Sequence, residues 1–375
     1  MKIVIQKNDF MAALSPLMGC VSNKNTMASI EGILIETEGE NSCVLSSFDL
    51  EKGVRLKAQA EVEEGGSYII NAVKLNQIIR MMPEENITIE VDKRNVTRIY
   101  SGRSSFELHA LSGEDFPNLP DLGTEGGFEV KQGDFRNLIV RTMFAVAQND
   151  QRPAINGAFF IIDSGKITVV GCDRNRLAIN SRTCDTAGDN CNFIIPGKSL
   201  GELVKLLSDE DENVVVRLAR KHCVFKIGDV YFFTRLIDED YIDYERFLPK
   251  NNKIFVDIDK SATLESLERA MLVTEDKSMG QTKSTLKCSF SDDVLRLSSK
   301  SVSSSFYDEI AAVKTGEDIE IGFNCRYFFD AVRACGTEKL KFSLSSPLMS
   351  MIIEPGEELE NESFVYMVLP LRKPE

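Results

Sequence analysis

The stretch FELHALSGEDF (106–116) decides the fold, because a similar stretch, YFFTRLIDEDY (231–241), follows it 125 residues later. Similarity at one fixed offset indicates a repeated structural unit. The further matches at this offset are Asp9-Phe10 with Asp134-Phe135, Gly32 with Gly157, and YIIN (68–71) with FIIP (193–196). The first two thirds of the chain therefore contain two copies of one unit.

We expect a third copy at the C-terminal end, where the similarity is weaker. After 128 residues, FIIP recurs as IGFN (321–324), Arg141 as Arg269 and Met143 as Met271, and FVYMVLPLR (364–372) resembles VYFFTRL (230–236). Three equal units fill the 375-residue chain. We predict domains at 1–123, 124–250 and 251–375, joined by the Gly-, Pro-, Asn- and Lys-rich stretches 121–128 and 248–255.

Each copy shows the same order of elements: a strand, a helix, several strands, a second helix and closing strands. Apolar residues at three- and four-residue spacings predict helices, and alternation predicts half-buried strands. The predicted helices are 8–22, 71–82, 133–147, 196–207, 261–273 and 324–335, with Asp9, Asp134 and Ser261 as N-caps. The predicted strands include 2–6, 32–38, 42–48, 127–132, 159–163 and 166–171. We predict an α+β fold in which each repeat packs two helices on antiparallel sheets.

Composition excludes several classes of protein. Apolar residues make up 43% of the chain, yet no apolar run approaches the roughly 18–20 residues of a membrane span. The N-terminus turns polar after five residues, unlike a signal peptide. The nine cysteines never form a CxxC pair, which argues against zinc and fits a reducing cytoplasm. The presence of only two histidines argues against a His-based triad and against a multi-histidine metal site, so we expect no cofactor and no metal.

The net charge of −14 argues against nucleic acid, but its distribution points the other way. The segments 8–24, 71–83, 133–147, 195–208, 260–273 and 324–336 hold 11 bases and 6 acids. The rest of the chain holds 33 bases and 52 acids. Mixed charge on solvated helix faces is the alternative explanation. Because every helix contributes a base, we favour a positive helical layer inside an acidic shell, an arrangement that holds a polyanion.

Five short motifs in this order carry a family resemblance. They are DFPNLP (115–120), RPAING (152–157), GCDRNRLAI (171–179), DYERFLP (243–249) and the terminal FVYMVLPLR (364–372). With the three-fold repeat, the whole chain resembles the bacterial DNA sliding clamps, the beta subunits of DNA polymerase III. The resemblance implies three clamp domains per chain and a head-to-tail homodimer, which forms a six-domain ring with helices lining the hole.

The resemblance also implies a function. Sliding clamps are cytoplasmic, non-catalytic processivity factors that encircle duplex DNA and tether the replicative polymerase, the clamp loader and repair proteins. A rough size check agrees, because twelve helices about 8–10 Å apart form a circle with a hole of roughly 25 Å. The two groove depths of B-DNA sum to some 16 Å. Duplex DNA would pass without being gripped.

By resemblance, the DNA-facing candidates are basic and amide side chains on or next to the helices. Phosphate contacts from such residues carry no sequence information, so the protein would slide. The alternative for any one of them is a solvated charge on a helix face. The candidates are Lys24, Lys74, Arg80, Arg136, Arg141, Gln148, Asn149, Arg152, Lys198, Lys205, Arg326 and Arg333.

The resemblance further implies a pocket for short partner peptides with aliphatic or aromatic anchors. Its candidates are Ile155, Cys172, Arg174, Asn175, Arg176, Leu177, Ile242, Arg246, Phe247, Leu348, Ser350, Met367, Val368, Leu369, Pro370, Leu371 and Arg372. The alternative for Leu177, Val368 and Leu371 is a plain core residue. Arg174-Asn175 departs from a common family pattern, Asp-Gly-His-Arg, so we expect a narrower or differently charged pocket entrance.

For the dimer interface, the resemblance points to Phe106 and Leu108 on an edge strand of the first repeat. Their partners would be Leu272 and Val273 in the third repeat. An exposed apolar edge strand invites aggregation unless another chain covers it. A buried core strand is the alternative.

Two other classes of protein compete with this interpretation. An enzyme is disfavoured because GxSxG, HExxH, GxxxxGK and GxGxxG are absent from the sequence. The acidic runs 208–212 and 238–240 could bind a divalent cation, but their setting between elements favours solvated loops. The third class is an acidic interaction scaffold that never touches DNA.

Overall fold

The structure is a computed structural model that describes residues 1–22, 27–120, 127–184, 190–209, 211–219, 221–275 and 284–371. The chain divides into two compact units. Unit 1 comprises Met1–Gly133 with Lys198–Leu236, and unit 2 comprises Asp134–Gly197 with Ile237–Glu375. Each unit therefore combines one outer repeat with part of the central repeat. The repeat boundaries at 123/124 and 250/251 stay a prediction.

Six α-helices occur in the described residues, one for each predicted helix. They are α1 (Lys7–Leu17), α2 (Ala72–Met81), α3 (Gln132–Met143), α4 (Gly197–Leu206), α5 (Lys260–Thr274) and α6 (Cys325–Ala334). None of them is long and apolar enough to cross a membrane.

The predicted N-caps were wrong, because the strand before each first helix runs into it without a loop. Asp9 and Asp134 lie inside the first turns of α1 and α3. In α5 the N-cap is Asp259, whose side chain accepts a hydrogen bond from the Ala262 N–H at 2.9 Å. In the second helices, Asn71 and Asn324 cap α2 and α6 in the same way.

The strands follow the same order in all three repeats, except that the first repeat has two additional short strands, Glu61–Glu64 and Leu111–Ser112, without counterparts among the described strands of the others. In the first half they are β1 (Lys2–Gln6), β2 (Gly32–Glu38), β3 (Ser42–Phe48), β4 (Lys52–Gln59), β5 (Glu61–Glu64), β6 (Ser67–Asn71), β7 (Asn86–Val91), β8 (Val96–Ser101), β9 (Ser104–His109), β10 (Leu111–Ser112), β11 (Phe128–Lys131), β12 (Gly157–Asp163) and β13 (Lys166–Cys172). In the second half they are β14 (Arg176–Thr183), β15 (Cys191–Pro196), β16 (Asn213–Ala219), β17 (His222–Ile227), β18 (Val230–Arg235), β19 (Ile254–Asp259), β20 (Leu286–Ser291), β21 (Val294–Lys300), β22 (Ser305–Thr315), β23 (Ile319–Phe323), β24 (Lys339–Leu344), β25 (Met351–Pro355) and β26 (Glu362–Val368).

Unit 1 contains a five-stranded sheet, β5-β1-β7-β8-β9, and a nine-stranded sheet, β10-β6-β2-β3-β4-β18-β17-β16-β11. In the larger sheet, β4 of the first repeat pairs antiparallel with β18 of the second. We call this pairing of Lys52–Leu56 with Val230–Thr234 the first seam. The strand pairing within unit 1 thus joins the first two repeats into one continuous sheet.

Unit 2 contains a twelve-stranded sheet, β15-β12-β13-β14-β26-β25-β24-β19-β22-β21-β20-β23. Here β14 of the second repeat pairs antiparallel with β26 of the third. We call this pairing of Arg176–Arg182 with Glu362–Val368 the second seam. These sheets with helices packed on them confirm the predicted α+β class.

One strand is more buried than its sequence pattern predicts. Every residue of β3 is buried, although alternation predicted a half-buried strand. Three of its seven residues, Ser42, Ser46 and Ser47, are serines, which are small enough to be covered. The Ser47 hydroxyl donates to the Leu17 carbonyl oxygen at 2.9 Å, so burial of this side chain leaves it hydrogen-bonded.

Candidate functional site

An apolar cluster lies where four neighbouring strands of unit 2 meet, at one end of the second seam. The register places Leu177 of β14 opposite both Cys172 of β13 and Met367 of β26, and Met367 opposite Ile352 of β25. These four side chains and Val170 are buried together. The partly buried side chains packed against them are Phe159, Ile179, Tyr241, Ile242, Tyr244, Leu248 and Val365. We refer to this group as the apolar cluster.

Tyr241 closes the cluster on one side. Its ring stacks on Phe159 with 4.9 Å between centroids, and its hydroxyl donates to the Val170 carbonyl oxygen at 3.3 Å. Burial raises the pKa of Tyr241 above its ordinary value, so the hydroxyl stays protonated and remains a donor. Burial likewise raises the pKa of the Cys172 thiol to about 12, which makes this cysteine an inert apolar side chain.

Large apolar side chains remain exposed in the segments that enter and leave the cluster. Phe247 is 54% exposed in the short 3-10 turn Tyr244–Phe247, next to Leu248 of the cluster. Leu369 and Leu371, which follow Met367 and Val368, are each 37% exposed. Leu348 is 74% exposed before β25. A partner could contact these exposed side chains, whereas the buried side chains of the apolar cluster are covered.

A tight polar turn, Asp173–Arg176, connects β13 to β14 at the edge of the apolar cluster. One oxygen of Asp173, Oδ1, accepts hydrogen bonds from the backbone N–H groups of Asn175 and Arg176 at 2.7 and 2.9 Å. The Asn175 carbonyl oxygen accepts from the Leu369 N–H at 2.9 Å. The turn is therefore fastened to the terminal segment that carries the exposed leucines.

A polar cavity of about 530 Å³ lies beside the same turn. Successive residues of a strand face opposite sides of a sheet, and Arg176 lines the cavity while Leu177 belongs to the apolar cluster. The other lining residues are Met143, Phe144, Val146, Ala147, Gln148, Asp150, Asp173, Arg174, Asn175, Arg326, Tyr327, Asp330 and Arg333. The cavity thus combines residues of the second repeat with four side chains of α6.

Arg176 is held in the cavity wall by contacts on every side. Its guanidinium carbon lies 4.4 Å from the ring centroid of Tyr327 and 5.5 Å from that of Phe144. Its Nε is 3.0 Å from Asp173 Oδ2, and its Nη1 is 2.9 Å from Asp330 Oδ2. Only 12% of this side chain is exposed, so the carboxylates offset the cost of burying the charge.

Arg174, which departs from the common family pattern, is tied back by an ion pair. Its Nε is 2.8 Å from Asp150 Oδ2, and the same carboxylate contacts Arg152 at 3.3 Å. The Arg152 backbone N–H and the Arg174 side chain lower the pKa of Asp150 to about 2. Asp150 is therefore ionised at neutral pH, and Arg174 lies against it in the cavity wall.

The structure brings together part of the predicted pocket. Cys172, Leu177, Ile242 and Met367 lie in the apolar cluster, and Arg174, Asn175 and Arg176 form the adjoining turn. Ile155 is fully buried but falls outside the cluster, and Val368 belongs to the larger core of unit 2. Ser350 is buried, Pro370 is half-buried, and Arg246 is exposed and paired with Asp243. Arg372 lies outside the described residues.

Sequence reasoning predicted four of the twelve residues of the apolar cluster and missed the other eight. Val170, Ile352 and the aromatic residues Phe159, Tyr241 and Tyr244 were not predicted. Two tyrosines in the motif-bearing stretch DEDYIDYERF (238–247) were a signal that could have pointed to Tyr241 and Tyr244. No signal in the sequence indicated Asp330, because its partner Arg176 lies 154 residues away in the chain.

The predicted DNA-facing residues differ in how far their charges are engaged. Lys74, Arg80 and Lys198 are exposed, and no partner among the described residues forms an ion pair with them. Lys205 pairs with Glu202 at 2.8 Å, and Arg326 and Arg333 share Asp330 at 3.4 and 3.5 Å. Gln148 and Asn149 are exposed, and Arg136 is half-buried. Lys24 lies outside the described residues.

Arg141 is placed differently from the prediction. Its guanidinium, on α3 of the second repeat, is ion-paired with Glu362 of β26 and packs against Gly336, so a Cβ at Gly336 would clash with it. Arg182 contacts the same carboxylate at 3.2 Å and Asp134 at 2.9 Å. Arg141 thus links the second and third repeats through an ion pair, and its contact with DNA stays a prediction.

Of the four predicted interface residues, Val273 is the one that is buried. Strand β9 is an edge of its sheet, Phe106 on it is 42% exposed, and Leu108 is half-buried. Leu272 is 80% exposed near the end of α5. Val273 is only 8% exposed, so it offers little surface to another chain.

Comparison with known proteins decides the family. Models of the N-terminal, central and C-terminal domains of the DNA polymerase III beta subunit match residues 1–120, 129–243 and 245–372. The chain belongs to this family. It is 27% identical over 99% of both chains to the beta sliding clamp of Staphylococcus aureus. This beta-subunit family member therefore consists of three clamp domains, as predicted.

Solved structures show the same fold. The DNA polymerase sliding clamp from Bacillus subtilis superposes with a TM-score of 0.93 at 25% identity, covering 100% of both chains. The DNA polymerase III subunit beta from Pseudomonas aeruginosa superposes with a TM-score of 0.89 at 28% identity, covering 99% of this chain and 100% of that chain. Among the described residues of this family member, no group of three or more His, Cys, Asp or Glu is arranged to hold a metal.

Proposed function

We propose that this protein is a DNA polymerase processivity factor. It acts as a ring-shaped homodimer that encircles duplex DNA, slides without sequence specificity and tethers the replicative polymerase, the clamp loader and repair proteins. It has no catalytic role and works in the cytoplasm, where the DNA is. The family membership supports the replication role, and the arrangement of the seams supports the ring.

The observation that carries the proposal is a third pair of strands, equivalent to those of the two seams, in which each strand lacks a partner on one edge among the described residues. The third strand after the first helix of a repeat is β4, β14 or β22, and the third after the second helix is β9, β18 or β26. The two seams pair β4 with β18 and β14 with β26. Among the described strands, β9 pairs only with β8, and residues 305–311 of β22 pair only with β21. A second copy of the chain supplies the missing partners.

Two copies related head to tail close the ring, because β22 of each copy then meets β9 of the other. Such closure removes the exposed strand edges, which would otherwise pair indiscriminately. Leu272 and Phe106 add apolar area next to these strands. Encirclement retains DNA by topology, so the individual contacts of Lys74, Arg80 and Lys198 with phosphates can be weak and salt-sensitive.

The partner peptide binds at the exposed apolar side chains around the apolar cluster. A flexible tail loses conformational entropy on binding, so it must bury one or two large side chains. Phe247, Leu369 and Leu371 expose enough apolar area to receive them. The turn Asp173–Arg176 and the terminal segment present backbone groups beside this surface.

The ring is tested by native mass with a matched pair of variants. Leu272 is 80% exposed on α5 and Met81 is 79% exposed on α2, so glutamate at either position does little to a free chain. We expect wild type and Met81→Glu to have about twice the chain mass of 41.9 kDa by light scattering. Leu272→Glu shifts towards the monomer because it buries a charge in the interface. A monomeric wild type at micromolar concentration contradicts the ring.

The pocket is tested by a second matched pair. Leu177 is fully buried, so a charge there would also destabilise the fold, whereas Leu371 is 37% exposed. Leu218 on β16 of unit 1 is 39% exposed and serves as the control. In fluorescence polarisation with a labelled clamp-binding peptide of the organism's replicative polymerase, Leu371→Lys loses affinity and Leu218→Lys does not. Equal binding by Leu371→Lys and wild type contradicts the pocket assignment.

A further inference from the structure

The carboxylate of Asp330 is shared by three arginines. Its Oδ2 lies 2.9 Å from Arg176 Nη1, and its Oδ1 lies 3.4 Å from Arg326 Nε and 3.5 Å from Arg333 Nη2. The side chain of Asp330 is 11% exposed, so the interaction is weakly screened by solvent. A single acid therefore contacts all three of the arginines that α6 and β14 bring to the polar cavity.

Of these three contacts, the one with Arg176 crosses between repeats. Arg326, Arg333 and Asp330 lie on the same helix, at spacings of four and three residues. Arg176 instead begins β14 of the second repeat, at the end of the turn that starts with Asp173. The Asp173–Arg176 ion pair closes the turn on itself, whereas the Asp330–Arg176 pair fastens the turn to α6 of the third repeat.

We propose that Asp330 is a positioning residue for the partner pocket, because it fixes Arg176 and thereby the turn that forms the pocket's edge. This inference rests on the proposed function of the pocket. The ring of Tyr327, also on α6, packs against the same guanidinium, so α6 holds Arg176 by both a charge and an aromatic face. Asp330 acts through Arg176 and does not itself contact the peptide.

The backbone connects the fixed guanidinium to the apolar side chains that receive the peptide. Arg176 pairs with Val368 and Leu177 with Met367 along the second seam. One residue earlier, Asn175 accepts a hydrogen bond from Leu369. A turn released from α6 shifts its backbone, and the shift passes to Leu177 and to the terminal segment. Peptide affinity therefore depends on Asp330, although its carboxylate lies on the opposite face of β14 from the apolar cluster.

The test compares two carboxylates at opposite ends of the second seam. Asp330→Asn removes the charge that holds Arg176, and Glu362→Gln removes the charge that holds Arg141 and Arg182 at the far end. Both variants lose an ion pair between repeats, so both lower the unfolding midpoint. We expect only Asp330→Asn to weaken binding of the labelled polymerase peptide, by about tenfold, the effect of a charged hydrogen bond.

Two further variants keep the test decisive. Asp330→Glu retains the charge and restores part of the affinity lost in Asp330→Asn, which a purely steric role of Asp330 would not allow. Arg326→Gln combined with Arg333→Gln removes the competing cations but leaves the Asp330–Arg176 pair, so affinity stays at the wild-type level. This double variant applies even if Asp330→Asn does not fold. A loss of affinity in it shows that net charge, and not position, controls binding, and overturns the proposal.

The outcomes separate this proposal from the pocket assignment. If wild type does not bind the peptide, the proposed function of the pocket fails. If wild type binds and Asp330→Asn binds equally well, the pocket stands and the positioning role is wrong. If Glu362→Gln weakens binding as much as Asp330→Asn, general loosening of the second seam explains the effect, and the positioning role is again wrong.

Discussion

The two seams join neighbouring repeats by the same antiparallel strand pairing but stabilise it by different means. The first seam pairs Lys52–Leu56 with Val230–Thr234, and its centre is aromatic. Phe233 lies over Gly53, where a Cβ would come within 2.3 Å of its ring, and 5.5 Å from the Phe48 ring. The second seam is longer, pairing Arg176–Arg182 with Glu362–Val368, and ion pairs flank both of its ends.

This difference shows where a binding site can develop. The ion pairs at the first seam, Lys52–Asp49 and Arg55–Glu36, lie within the first repeat, so no charge pair crosses this seam among the described residues. The second seam ends in a polar turn, which the ion pairs of Arg176 hold in place, and in an exposed apolar segment, which a backbone hydrogen bond from Leu369 to Asn175 fastens to that turn. Strand pairing thus joins the repeats in both cases, while the charged end of the second seam supports the turn beside the proposed pocket.

The largest expected effect comes from the aromatic centre of the first seam. Phe233 is fully buried, so Phe233→Ala leaves a cavity beside Phe48 and Gly53. We expect a loss of about 3–5 kcal/mol in the free energy of unfolding, measured by urea denaturation. The loss should be nearly the same at low and high salt, because no charge is involved. A loss below about 1 kcal/mol would show that this seam is not held by its aromatic packing.

A smaller effect is expected at the ionic end of the second seam. Glu362→Gln leaves Arg141 and Arg182 without a carboxylate partner at this position. The free energy of unfolding should fall by about 1–3 kcal/mol, and this loss should become smaller when salt is raised from about 0.1 M to 1 M. Urea denaturation at both salt concentrations checks this. A salt-independent loss would remove the proposed distinction between the seams.

The bases beside the two seams should contribute unequally to DNA contact. Lys198 lies in the first turn of α4 with no ion pair among the described residues, whereas Arg333 in unit 2 must give up Asp330 to reach a phosphate. Lys198→Gln should lower the slope of log affinity against log salt by about 1, and Arg333→Gln by less. Binding of a short linear duplex at several salt concentrations measures both slopes.

The control for this comparison is Lys166→Gln, which removes an exposed lysine from the β12–β13 hairpin instead of a helix. Its salt slope should equal that of wild type. If Lys166→Gln and Lys198→Gln lower the slope equally, the contact with DNA is not concentrated on the helices.

The smallest effect concerns Asp150, which holds Arg174 and Arg152 near the second seam. Its pKa in the folded protein is about 2, below the ordinary 3.8, so the ionised carboxylate stabilises the fold above about pH 4. This contribution is lost as the pH falls from about 4 to 2. The free energy of unfolding of Asp150→Asn should therefore be lower than that of wild type near pH 7, and this difference should narrow below about pH 4. If urea denaturation shows the same difference in the free energy of unfolding at every pH, the stabilising role of the ionised Asp150 is wrong.

Much of the fold followed from the repeat in the sequence, because hydrophobic periodicity and a fixed offset are local signals. These signals predicted the order of elements, the position of all six described helices and the resemblance of β18 to β9. The N-caps were not, since the direct junction of Gln6 with Lys7 depends on how strand and helix meet in space. Nor was the burial of β3, which depends on what covers both faces of a serine-containing strand.

The candidate site was predictable only where resemblance or strand register fixed it. Leu177 and Met367 were expected together and lie opposite each other across the second seam. The ion pairs of Arg141 and Asp330 were not expected, because their partners lie 221 and 154 residues away in the chain. Charge pairing over such distances depends on tertiary packing, and the sequence shows only that the charges exist.

The central claim is that the protein encircles DNA, and retention on circular DNA tests it most directly. The protein is loaded by the organism's clamp loader on a nicked circular plasmid, separated from free protein by gel filtration and followed before and after a single cut. We predict that it stays on the circle, leaves soon after linearisation, and fails to be retained when Leu272→Glu opens the ring. Equal retention on circular and linear DNA, or retention of Leu272→Glu as a monomer, would contradict the account.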